Sequence, residues 1–118
     1  VTEYQLHLQV AKFLNHALTG RSTWFHPPNG GYRHATEARR LKAMGVLPGI
    51  PDIVVINDGR MICFELKAPK GGRVSVAQLR CHKQLEFARV PVFICKTLEE
   101  VVSGLEIMGV PLKAKVAA

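Results

Sequence analysis

Asp52-Ile53-Val54-Val55-Ile56-Asn57-Asp58-Gly59-Arg60-Met61-Ile62-Cys63-Phe64-Glu65-Leu66-Lys67 is the stretch that decides the fold. Two runs of β-branched and aromatic residues flank Asp58-Gly59. That dipeptide marks a tight hairpin, because both central turn residues must reach positive φ. With a two-residue loop, Asn57 pairs with Arg60, and the register continues through Ile56–Met61 and Val54–Cys63 to Asp52–Glu65. Directly opposed residues share a face, with Cβ atoms about 4.5–5.5 Å apart. Lys67 lies two residues past Glu65 and projects from the same face, about 6.6 Å further along the strand. The register alone therefore predicts two carboxylates and an ammonium converging where the strands meet Pro48-Gly49-Ile50-Pro51.

Working outward, Thr2 opens a first helix with Gln5 as its capping-box partner. Leu6, Val10, Phe13, Leu14 and Ala17 recur at helical spacing before Gly20. Thr23 to His26 reads as a short strand stopped by Pro27-Pro28, with Trp24 and Phe25 expected in the core. Residues 29–34 read as a loop, and Thr36 to Met44 as a short basic helix ended by Gly45. After the hairpin, Pro69 to Arg73 is a loop. Ser75 caps a helix running to about Ala88, with Gln78 in the reciprocal capping position. Pro91 to Lys96 is a further strand, and Thr97 opens a last helix with Glu100 in the same capping role. Residues 110–118 lack periodicity and are expected to fray. The reading is a single α/β domain over 1–118, a central mixed β-sheet flanked by helices.

Hydrophobic residues at 47% and charged residues at 21% describe a globular chain able to bury one core. No apolar run approaches the roughly 20 residues of a membrane span. No signal-like leader opens the chain, so a cytoplasmic setting is expected. Cys63, Cys81 and Cys95 form no C-x-x-C pair and read as reduced core thiols. The net charge of +7 attracts polyanions. H-E-x-x-H, P-loop, G-x-S-x-G and zinc-finger spacings are all absent.

Two opposed carboxylates repel one another unless positive charge lies between them. Lys67 could supply it, making an exposed strand-end salt-bridge cluster. A divalent cation could supply it instead, leaving Lys67 to act on a substrate. Oxygen ligands suit a hard ion such as Mg²⁺ or Mn²⁺, which takes only one or two carboxylates and keeps several waters.

Gly49-Ile50-Pro51-Asp52, followed after twelve residues by Glu65-Leu66-Lys67, resembles the PD-(D/E)xK nuclease signature. The continuation Ala68-Pro69-Lys70-Gly71-Gly72-Arg73-Val74-Ser75-Val76-Ala77-Gln78 is similar to the stand-alone, phage or bacterial VRR-NUC branch of that superfamily, as is Ala38-Arg39-Arg40-Leu41-Lys42-Ala43-Met44-Gly45 upstream. The resemblance implies a restriction-endonuclease-like core, αβββαβ, and cleavage of DNA. It implies Asp52 and Glu65 as metal ligands completed by the Leu66 carbonyl, with Lys67 acting on water and phosphate. Relatives often add an acid from the first helix, for which Glu3 is available; a first-turn charge stabilising the helix explains Glu3 as well. Gln78 fits the family pattern, and its cap explains it without catalysis.

Arg33, Arg39, Arg40, Lys42, Lys70, Arg73, Arg80 and Lys83 fall on the flanking segments. Together they would track a DNA backbone without reading bases. His26 and His34 read as loop residues near the site, and His7, His16 and His82 as surface or boundary residues of helices. The resemblance further implies a homodimer that resolves four-way (Holliday) junctions in a bacterial or phage-infected cell, with flap- or splayed-end cleavage as the alternative. Val101, Val102, Leu105 and Met108 of the last helix are candidates for the dimer surface. A catalytically silent DNA-binding module and a structural protein are the competing classes.

Overall fold

A computed structural model describes residues 1–28 and 34–113. The elements are α1 (Glu3–Ala17), β1 (Ser22–Phe25), α2 (Ala35–Ala43), β2 (Ile53–Asn57), β3 (Arg60–Leu66), α3 (Val76–Phe87), β4 (Val92–Cys95) and α4 (Leu98–Ile107). Their order is the one that the sequence pattern predicts. Residues 29–33, read as loop and including Arg33, lie outside the described residues.

The strands form one mixed sheet in the order β1-β2-β3-β4. β1 and β2 are antiparallel, β2 and β3 antiparallel, and β3 and β4 parallel. The hairpin register is the predicted one, with Asn57↔Arg60, Ile56↔Met61 and Val54↔Cys63. Asp58 and Gly59 sit at φ +50° and +79°, the left-handed pair that a tight hairpin turn demands. Asn57, nearly buried, locks this end: its Nδ2 donates to Ser22 Oγ at 2.9 Å, and Arg60 Nη2 donates to its Oδ1 at 3.0 Å.

The two sheet faces are covered differently. Leu6, Val10 and Leu14 of α1 and Val101 and Leu105 of α4 meet Ile53, Val55, Ile62, Phe64 and Leu66 in one apolar core. Phe64 and Phe93 stack within it at 5.4 Å between centroids. Burying each such side chain contributes about 1.5–3 kcal/mol, which makes this layer the main source of stability. The opposite face carries Val54, Cys63 and Glu65 under α3, a helix that buries only Cys81 and His82.

Four expectations are corrected. Phe25 is 45% exposed, because β1 is an edge strand and Phe25 points away from the core that half-buried Trp24 joins. Residues 110–113 do not fray: Val110 is buried, Leu112 bridges to Leu18, and Lys113 N–H donates to Ala17 O. Residues 114–118 lie outside the described residues. Val101, Val102 and Leu105 are consumed by the core and Met108 packs against it, so α4 does not offer them to a partner. His82 is buried rather than a surface residue. No helix is long and apolar enough to cross a membrane among the described residues.

Candidate active site

Each site residue is placed by an element whose local sequence is accounted for. Asp52 precedes β2, and Glu65 and Leu66 end β3. Lys67 continues that line, its N–H donating to Cys95 O at 2.9 Å. The preceding loop presses onto α3. Gly49 adopts φ +78°, and a Cβ there would lie 2.4 Å from Ala77 O, so no larger residue fits. This contact ties the Pro48–Pro51 segment to the first turn of the helix that carries Gln78.

The carboxylates and the lysine do converge. Asp52 Oδ2 accepts from Leu66 N–H at 2.8 Å, a charge-assisted bond that fixes its rotamer. Glu65 is only 1% exposed, and Lys67 Nζ lies 3.9 Å from its Oε2. Lys67 itself is 7% exposed and Asp52 half-buried, so the Glu65–Lys67 pair is buried where the salt-bridge reading places it in solvent. Gln78 completes the cap and also reaches the cluster: its Oε1 accepts from Ser75 N–H at 2.8 Å, while its Nε2 donates to Glu65 Oε2 at 3.2 Å.

His82 was missed as a site residue. It stands one helical turn after Gln78, with Nε2 at 3.2 Å from Glu65 Oε1. The i, i+4 spacing of Gln78 and His82 was the available signal, since residues so spaced share a helix face. On the other flank, His26 Nδ1–H donates to the Asp52 carbonyl at 2.6 Å, and His7 packs edge-on against that ring at 4.5 Å. His16 is exposed, and His34 precedes α2 at its N-cap.

Electrostatics mark the cluster as unbalanced by side chains alone. Glu65 is pushed up to about 9, first by burial, then by its hydrogen bond with Asp52 and that group's charge, against the pull of Lys67. Glu3, exposed in the first turn of α1, is near enough to push it in the same direction. Burial, opposed by Glu86 and reinforced by Lys67, lowers His82. Burial also pushes the Cys63 and Cys95 thiols up to about 11 and 12, and all three cysteines are buried and free.

Two close carboxylates, one fully buried and driven towards its neutral form, are the arrangement that a cation between them would relieve. Among the described residues, no three His, Cys, Asp or Glu side chains gather into a cage for a metal ion. The donor set therefore fits a hard ion that takes two carboxylates and a main-chain carbonyl and keeps water, rather than a soft ion in an all-protein cage.

The predicted cations divide by place. Arg39, Arg40 and Lys42 are exposed on α2, Lys70 and Arg73 on the loop after Lys67, and Arg80 and Lys83 on α3. Lys42 and Arg80 line one cleft of about 260 Å³, together with Leu47, Pro48, Ala77 and Gln84. Arg33 lies outside the described residues.

A four-stranded mixed sheet in this order, with paired carboxylates and a lysine at the end of its central hairpin, defines an α/β fold. A solved structure described as a VRR_NUC domain protein superposes with a TM-score of 0.69 at 21% identity, over 91% of this chain and 87% of its own. The chain has the VRR-NUC fold. No protein-family model matches the sequence, and no characterised protein matches it either.

Proposed function

We propose that this chain is a metal-dependent endonuclease hydrolysing DNA phosphodiester bonds, with Asp52, Glu65 and the Leu66 carbonyl as ligands of Mg²⁺ or Mn²⁺. The observation that carries this reading is the convergence of half-buried Asp52 with buried Glu65 and Lys67, with Lys67 Nζ 3.9 Å from Glu65 Oε2. The likeness in fold to a VRR_NUC domain protein supports it. A salt-bridge cluster kept for stability is the weaker account, because burying charge costs more than such pairs return.

When bound, the cation would neutralise charge on the phosphate and acidify a water beside it. The remaining chemistry belongs to the protein. Asp52, fixed by Leu66 N–H, and Glu65, held by Gln78, present their oxygens without reorganisation. The Lys67 ammonium donates to the attacking water or to a non-bridging phosphate oxygen, stabilising charge as it develops. Water adds to phosphorus as it gives up a proton, one P–O ester bond breaks, and the leaving oxygen takes up a proton, leaving a phosphate end and a hydroxyl end. Glu3 acts on the site only through its charge, since it does not gather with Asp52 and Glu65 into a three-carboxylate set among the described residues. Lys42, Arg80 and the other cations beside the site would grip the backbone on either side of the cut.

The finer reading is a twofold homodimer resolving four-way junctions, since two opposed nicks need two sites related by the symmetry of the substrate. Its surface would come from apolar side chains left in solvent, such as Phe87, 92% exposed, and Ile107, 74% exposed. Flap or splayed-end cleavage would use the same chemistry. Incubation of supercoiled plasmid with Mg²⁺ or Mn²⁺ tests the core of the proposal. Nicking that stops in excess chelator is expected. Cleavage unaffected by chelator, or none of plasmid, duplex, flap, splayed or junction DNA with any divalent cation, would refute it. A panel of duplex, flap, splayed and junction substrates then separates the finer readings.

A further inference from the structure

Glu65 has two helix-borne partners, and they are not equivalent. Gln78 divides its amide between Ser75 and Glu65, so the cap alone would keep it in place. His82 is 4% exposed, and its hydrogen bond among the described residues is to Glu65 alone, Nε2 to Oε1 at 3.2 Å. A buried imidazole is costly as filler, because its nitrogens lose water and need replacements. An aliphatic side chain would fill the space under α3 without that cost.

The two contacts also address different oxygens. Gln78 and, more distantly, Lys67 face Oε2, while His82 faces Oε1. Without His82 the carboxylate keeps one anchored oxygen and is free to turn about it. Towards an ionised Glu65 the imidazole must present Nε2–H, which donates to Oε1 and sets the plane of the carboxylate.

We infer that His82 is the positioning residue of the cation site, orienting the Glu65 carboxylate for a divalent cation, a role that rests on Asp52 and Glu65 being the ligands. Hydrogen bonds to metal ligands of this kind are worth about 10–100-fold in metal affinity. In this role His82 acts through Glu65. Its effect is therefore on how much metal is needed, more than on the rate at saturation.

The test is a titration of the full chain with Mn²⁺, followed by loss of the free-ion paramagnetic resonance signal and by calorimetry, with melting curves on the same preparations. His82→Leu keeps the packing and removes the donor. His82→Gln keeps an amide N–H within reach of Oε1. The Mn²⁺ dissociation constant should rise about 10–100-fold in His82→Leu. It should return to within a few-fold of wild type in His82→Gln. The Mn²⁺ concentration that half-saturates cleavage should shift in parallel. If His82→Leu does not fold, His82→Asn replaces it, being polar but too short to reach Oε1. Wild-type affinity in the Leu or Asn variant overturns the role, as does a folded Gln variant no better than either. A wild-type chain that binds no Mn²⁺ overturns the cation site itself, which is a different and distinguishable failure.

Discussion

Alternate residues of β3 look into two unlike environments. Ile62, Phe64 and Leu66 face α1 and α4, where every neighbour in the core cluster is apolar. Cys63, Glu65 and the following Lys67 face the other way, towards α3, where Glu65 meets Gln78 and His82. Both sets are almost completely buried. The first set returns free energy to the fold. The second costs free energy, since buried charge loses hydration that its partners replace only in part. On the proposed reading, chemistry belongs to the second face and is supported by stability from the first.

The comparison can be broken from either side. The largest effects should come from Asp52→Ala and Glu65→Ala. Each should lower the cleavage rate by at least about 10²–10³-fold, the cost of removing one preorganised electrostatic group. Both variants should stay folded, as checked by melting curves on the same preparations. Phe64→Ala, one residue from Glu65 but on the opposite face, should do the reverse. It should cost about 3–5 kcal/mol of stability by urea unfolding. The fraction that remains folded should still cut DNA.

A pH experiment sharpens the contrast. Glu65 is raised in the folded chain from 4.5 to about 9, so between those values the folded state holds a proton that the unfolded state has released. Its contribution to stability is fully present below the unfolded value and drains as pH rises through the folded one. Metal-free wild type should therefore lose melting temperature between pH 5 and 9 relative to Glu65→Gln, which has no proton to lose. Parallel profiles would remove the buried-carboxylate argument. The smallest effect should come from the outer cations. Arg80→Ala should reduce the slope of log affinity against log salt by about 0.9 on duplex DNA, one phosphate contact. An unchanged slope would take Arg80 out of the DNA path.

Much of this was legible because it is local. The Asp58-Gly59 turn fixes the hairpin register, and the register fixes which charges share a face. The Thr2 and Ser75 capping boxes mark their helices as the sequence predicts. Thr97 caps α4, but Glu100 Oε1 accepts from Lys96 N–H and the Thr97 hydroxyl rather than from the Thr97 N–H, a shift that spacing does not reveal. What stayed hidden depends on which faces meet. Phe25 reads as core by type, and only the strand order shows that β1 is an edge. Val101, Val102 and Leu105 look like surplus apolar surface until the chain after α4 folds back and Val110 joins them. His82 reads as a boundary residue by type; its i, i+4 spacing from Gln78 is the one local signal, and the carboxylate that this face meets comes from a separate strand.

Lys67→Ala tests the central claim most directly, because it removes the one member of the cluster that is not a proposed metal ligand. Single-turnover nicking at saturating Mn²⁺, with melting temperature and DNA affinity measured on the same protein, reads chemistry apart from folding and binding. The account predicts a rate lower by about 10²–10³-fold, with the other two quantities near wild type. A wild-type rate in folded, DNA-bound Lys67→Ala would contradict it.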